Sequence, residues 1–122
     1  MAATEKPRYR TTDTYHNHPG RLNEHETGET INDWVLATFG ATGTNESVVA
    51  RANTEMSELI TASADREVAK MLEEAADVVI TLNRLFHRNG TTMQAEVDKK
   101  MAINRKRKWT VRNGHGQHVE GT

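Results

Sequence analysis

The chain of 122 residues has no cysteine. That excludes a disulfide framework, a zinc–thiolate centre and a thiol nucleophile. Aromatic residues make up only 5% and hydrophobic residues 35%, and the apolar positions concentrate between Ile31 and Met101. So thin an apolar complement for one modest domain points to further burial in an oligomer. No apolar run reaches membrane-span length, and the N-terminus lacks a signal-like segment. The expectation is a soluble, cytoplasmic protein with no membrane partner. Gly-rich phosphate loops and nucleophile triads are also missing. Net charge is −1, but its distribution is uneven. Residues 31–98 carry eleven acids against five Lys or Arg, whereas Lys99 to Arg112 hold seven Lys or Arg and no acid.

What the sequence does hold is two pairs of carboxylates, each three residues apart. Glu55 and Glu58 form the first, Glu74 and Asp77 the second, with fifteen residues between Glu58 and Glu74. On a helix, positions i and i+3 share a face, so each pair is a two-pronged oxygen ligand. With Glu74 at zero and about 100° per residue, Met71, Val78, Leu82 and Phe86 fall in an apolar arc from about 20° to 160°, and Asp77 falls near −60°. With Glu55 at zero, Val48, Ala52, Leu59 and Ile60 fill the matching arc, and Glu58 again lies near −60°. The acids thus flank both apolar stripes on the same side, and packing the stripes together brings the acidic edges close. Two unit charges about 5 Å apart repel by roughly 3 kcal/mol at an effective dielectric of about 20. A hard divalent cation, which takes oxygen ligands, relieves that repulsion. The competing structural reading is that acidic i, i+3 pairs are common on solvated helix faces.

In chain order, residues 1–29 form a polar arm containing Pro7, Pro19 and Gly20, predicted to be extended or partly disordered. Its His16, His18 and His25 match no common metal spacing and read as solvated. A short helix is predicted over 31–39, capped by Thr30 and stopped by Gly40. Trp34 in it reads first as core, and second as a surface for base stacking. A Gly/Thr-rich loop leads to a second helix, from 46 or 47 to 62. Arg51, one turn before Glu55, reads either as an i, i+4 salt bridge or as a phosphate contact. Residues 63–65 form the junction, with Ser63 and Asp65 as capping residues. The third helix spans about 65–89 and ends at Gly90. Thr81, Arg84 and Arg88 continue its acidic edge. Thr91 and Gln94 suggest a capping box for a fourth helix over about 92–108, with an apolar stripe of Met93, Val97 and Met101. Lys100, Asn104 and Arg107 recur along one flank of this helix. Arg105–Lys108 reads as a basic helix end favoured by the macrodipole, Trp109 packs that end, and residues 110–122 read as a loose, flexible tail. The predicted class is therefore all-α, with a helical domain over 30–109.

These residues resemble the MazG-like nucleotide pyrophosphohydrolases of the all-α NTP pyrophosphatase superfamily. Their ExxE–spacer–ExxD motif corresponds to Glu55-Met-Ser-Glu58 and Glu74-Ala-Ala-Asp77. The closing helix is similar to Lys99–Trp109, and the first helix of small members to Asp33–Gly40, so the likeness covers about 30–109. The residue before the first pair, acidic in many members, is Thr54 here. The resemblance implies an antiparallel four-helix bundle completed as a homodimer or homotetramer. It also implies hydrolysis of an NTP or dNTP to the monophosphate and pyrophosphate. It assigns Mg²⁺, with Mn²⁺ as a substitute, to Glu55, Glu58, Glu74 and Asp77, with Glu58 or Glu74 as the carboxylate acting in catalysis. Phosphate or sugar contacts go to Lys100, Asn104 and Arg107, and base contacts to Trp34 and Thr81. Two other classes compete: a helical nucleotide- or protein-binding module without turnover, and a nucleic-acid-binding protein using the basic end. The second gives no reason for two edge-matched acidic pairs, and no nucleic-acid partner is expected.

Overall fold

The computed structural model describes residues 25–122; most of the polar arm, with His16 and His18, lies outside the described residues. These divide into two compact units after Gly40. Among them the chain is mostly helical, with four helices and a small antiparallel sheet of two strands. None of these helices is long and apolar enough to cross a membrane.

The first unit contains α1 (Gly28–Phe39). Its cap is Thr27 rather than the predicted Thr30. Thr27 accepts from the Thr30 amide, and the Thr30 hydroxyl accepts from the Thr27 amide in return, so Thr30 serves as the third residue of a reciprocal capping box. Gly40, at φ 81°, stops the helix as predicted. Val35 is buried, and Trp34 meets Phe39 edge to face at 5.5 Å.

In the second unit, α2 (Asn45–Ala64) and α3 (Val68–Arg88) pack along each other. They run antiparallel: Asn45, opening α2, bonds to Arg88 and Asn89 at the end of α3. Thr44 and Ser47 form the capping box of α2. Val48, Ala52 and Val78 of the predicted stripes are buried, but Ile60, Leu72 and Val79 are exposed and Ala62 is buried instead, so the buried side of the pair is turned toward the acids relative to the predicted arc. Arg84 and Arg88 were expected along the acidic edge. Instead they fasten the far end of the pair, donating to the carbonyls of Thr42 and Gly43 in the preceding loop. The junction also differs from expectation. Asp65 closes α2 rather than opening α3, Glu67 precedes α3 without a side-chain cap, and Arg66 between them takes a left-handed φ of 62°.

α4 (Met93–Lys106) is capped by Thr92, not Thr91; the Thr91 hydroxyl donates to Glu96 at 2.8 Å. The helix touches α3 sparingly and buries no residue, and Val97 and Met101 of its apolar stripe are exposed. Residues read as a loose tail form a hairpin, β1 (Trp109–Arg112) with β2 (His115–His118), in the register Trp109↔His118 and Arg112↔His115. Asn113 and Gly114 link the strands, both at positive φ (53° and 79°). That is the two-residue turn whose twist suits a hairpin. The Trp109 indole donates to the Asn104 carbonyl at 2.9 Å, so Trp109 does pack the helix end.

Candidate metal centre

The middle of the α2–α3 pair carries the acids. Glu55 and Glu74 are buried within the interface, and Glu58 is exposed at its edge. Each offers one oxygen such that all three lie within 4.8 Å of one another. The helical period explains this. Glu55 and Glu74 each sit where the apolar stripe meets the acidic edge, so closing the stripe draws both inward, and Glu58 follows one turn on. Asp77, the fourth expected ligand, stands outside the trio and is exposed. It lies one turn beyond Glu74 and reaches one methylene less far than a glutamate.

Two buried carboxylates need counter-charge. Each takes it from a cation four residues earlier on its own helix. Arg51 Nη2 lies 2.9 Å from Glu55 Oε2, so the salt-bridge reading of Arg51 holds. Lys70 Nζ lies 2.9 Å from Glu74 Oε2 and 3.3 Å from Glu73 Oε1. These bonds, that to Glu74 foremost, raise the Lys70 ammonium above its usual range. Glu58 has no such partner. Its carboxyl is pushed up from the ordinary 4.5, first by the charge of Glu55, then by partial loss of solvent and by Glu74, with Arg51 opposing. A proton on Glu58 would bridge to Glu74, which adds to the same shift. The other oxygen of Glu74, Oε1, is buried and has no hydrogen-bond partner. Beside the trio an open cleft of about 360 Å³ is lined by Ser57, Glu58, Thr61, Asp65, Lys70 and Glu74.

The donor set fits a small hard cation. Around magnesium, with bonds of about 2.1 Å, adjacent oxygens are about 3.0 Å apart and only an opposite pair reaches about 4.2 Å, so a trio lying within 4.8 Å would close by as much as about 1.8 Å to share one ion. The exposed Glu58 has the torsional freedom to supply it, and the orphaned Glu74 oxygen is a lone pair awaiting a positive partner. Glu55, Glu58 and Glu74 are the residues that would hold the ion.

The other expected contacts are more dispersed. The Thr81 hydroxyl donates to the Asp77 carbonyl at 2.9 Å, a bond within its own helix. Trp34 is 55% exposed and belongs to the first unit. Lys100 is exposed on α4, and Asn104 holds a buried, unpartnered Oδ1. Arg107 falls on the cap with extended backbone (ψ 156°), so the predicted flank of three ends at Asn104. The cations that do reach the trio are Arg51 and Lys70. Lys70 was overlooked as a site residue, although its i, i+4 spacing to Glu74 was readable beside the identical Arg51–Glu55 spacing. Comparison with family models, with curated proteins and with solved structures gave no match.

Proposed function

We propose that the chain is a divalent-metal-dependent nucleoside triphosphate pyrophosphohydrolase, cleaving an NTP or dNTP to the monophosphate and pyrophosphate. The observation that carries this reading is the carboxylate trio with its buried, unpartnered Glu74 oxygen. Cleavage between α and β phosphates concentrates negative charge on phosphate oxygens in the transition state, and catalysis requires that this charge be offset and a water be held in line. A bound Mg²⁺ or Mn²⁺ would supply the charge neutralisation and the activated water. Glu55 and Glu74 hold fixed positions because they are packed between helices. Glu58, exposed and with its proton held to higher pH than usual, is the group suited to accept a proton from the attacking water. Lys100, Asn104 and Arg107, which do not meet the trio, would contact the departing phosphates only where the substrate extends to α4, whereas Arg51 and Lys70 stand beside the ligands. A homo-oligomer is part of the same proposal. Val49, Met56, Ile60, Val68, Leu72 and Val79 of α2 and α3 are exposed, an uncovered apolar flank that a second copy would bury.

The test is product analysis. The purified chain is incubated with a panel of NTPs and dNTPs and Mg²⁺, and the products are separated by ion exchange. Monophosphate with pyrophosphate is expected. Diphosphate with phosphate would refute the bond assignment, and no turnover of any nucleotide would favour a second reading, a helical module without turnover. That reading draws on Arg51 and Lys70, which already give two of the three carboxylates a cation.

A further inference from the structure

We propose that Lys70 is a tethered cation that occupies the carboxylate site in the metal-free protein, and that a divalent ion binds by displacing its ammonium from Glu74. The inference rests on the reading of Glu55, Glu58 and Glu74 as a metal centre and adds to it a residue that sets affinity. Lys70 and Arg51 look equivalent, since each lies four residues before a buried glutamate and contacts it at 2.9 Å. Their surroundings separate them. Lys70 has a second acid within reach, Glu73 at 3.3 Å, which is 69% exposed. An ammonium leaving Glu74 therefore passes to a waiting counter-ion at the surface, with little desolvation and little loss of pairing. Arg51 has its ion pair with Glu55, and its larger planar guanidinium is the better permanent partner for a buried carboxylate.

Charge balance points the same way. The three carboxylates, Arg51 and one divalent ion cancel. Lys70 and Glu73 cancel each other as well, so the ammonium need only move from Glu74 to the Glu73 side to stand clear of the incoming ion. Glu74 is the natural point of exchange, because one of its oxygens holds Lys70 and the other, buried, holds nothing. Releasing Lys70 turns a half-engaged carboxylate into one with both oxygens open to a metal. The ammonium also lines the cleft beside the trio, so its departure from Glu74 alters the site entrance and not a remote surface.

The experiment measures Mn²⁺ binding by calorimetry on the full chain, in the wild type and in Lys70→Gln, Lys70→Arg and Lys99→Gln. Lys99 pairs with Glu96 on α4, so Lys99→Gln removes the same charge away from the trio. Because binding must break the Lys70–Glu74 pair, which has the strength of a part-exposed ion pair, removing the ammonium is expected to tighten binding by about two- to fivefold. Lys70→Gln should show that gain, Lys70→Arg should bind no more tightly than wild type, and Lys99→Gln should match wild type. On the unmodified protein, amine-selective NMR should show the Lys70 Nζ resonance shift as Mg²⁺ is added, which covers a Lys70→Gln variant that fails to fold. Equal Mn²⁺ affinity in wild type and Lys70→Gln, or a Lys70 resonance unmoved by bound Mg²⁺, overturns this proposal and leaves the metal centre standing. No Mn²⁺ binding by any folded variant overturns both.

Discussion

Replacing Glu74 with glutamine separates the structural from the metal-binding role of the trio, because the two predict changes of very different size. In the metal-free protein, the substitution keeps the volume of a buried side chain and removes one charge. The lost ion pair has one buried end (7% exposed) and one open end, Lys70 at 53%. Lys70 retains Glu73, so no buried cation is stranded, and the cost is that of an exposed pair, about 0–1 kcal/mol. Relief of the repulsion with Glu58 acts in the opposite direction, as does a new amide donor for its carboxylate. Metal-free stability should therefore change by no more than about 1 kcal/mol. The metal-bound comparison is larger. A ligand at a hundred times its dissociation constant stabilises the native state by about 2.7 kcal/mol. At roughly 4–8 °C per kcal/mol for a domain of this class, the wild type should gain on the order of 10 °C or more in Tm as Mn²⁺ saturates. Glu74→Gln should lose most of that gain. The assay is thermal unfolding by far-UV circular dichroism across a MnCl₂ titration, with NaCl matched for ionic strength. An equal Mn²⁺-dependent rise in both proteins would show that these oxygens are not the donors, and a large loss of metal-free stability would show that Glu74 is chiefly structural.

Two further perturbations test the surrounding argument. Glu58 has a raised carboxyl pKa, so the folded chain binds more protons than the unfolded chain between the ordinary 4.5 and that raised value. Its contribution to stability is full below the ordinary value and is lost as pH rises through the raised one; metal-free Glu58→Gln should therefore unfold at a higher temperature than wild type at pH 7 and lose this advantage in acid, whereas a destabilised variant at neutral pH would contradict the repulsion. Thr44→Ala removes the side chain that accepts from the Ser47 amide at the start of α2; the expected loss is about 1 kcal/mol, seen as a lower denaturant midpoint with an unchanged slope, and an unaltered midpoint would mean that the Arg88 and Asn89 bonds to Asn45 already hold that end.

The helical period was legible in part: hydrophobicity marked Val48, Ala52 and Val78, which are buried, but the contact face is turned toward the acids and leaves Ile60, Leu72 and Val79 of the predicted stripes exposed. Asp77 shows where the wheel stops being informative. It fixes angle, but whether an edge residue joins a cluster depends on side-chain length and on the height at which the partner helix crosses, and the wheel contains neither. Cap positions slipped for a related reason. Thr27 and Thr30, and likewise Thr91 and Thr92, are chemically equivalent caps, and the choice between them is made by which backbone amides are left unpaired. Arg66 in the left-handed region could not be anticipated, since a left-handed residue is ordinarily marked by glycine or asparagine. The hairpin is a different case. Asn113-Gly114 is a strong short-range signal for a two-residue turn, and it was outweighed by the polar, Gly- and His-rich composition around it.

The placement of charge within α2 and α3 gives the strongest reason to regard the trio as a site. Apolar residues would pack the interface at the positions of Glu55 and Glu74 without a desolvation cost, and replacing a buried ion pair by hydrophobic side chains is often neutral or stabilising. The chain instead buries two glutamates, gives each a cation on its own helix, and sets a third, unpaired glutamate against them. Structure alone is served by the first two pairs, since each is locally satisfied. Glu58 is not accounted for in this way: it raises the repulsion that Arg51 and Lys70 reduce, and it does so at the exposed edge, where a solute can reach it. An arrangement that is strained when metal-free and would be relieved by one small divalent ion is one that could hold such an ion, whatever reaction is carried out there.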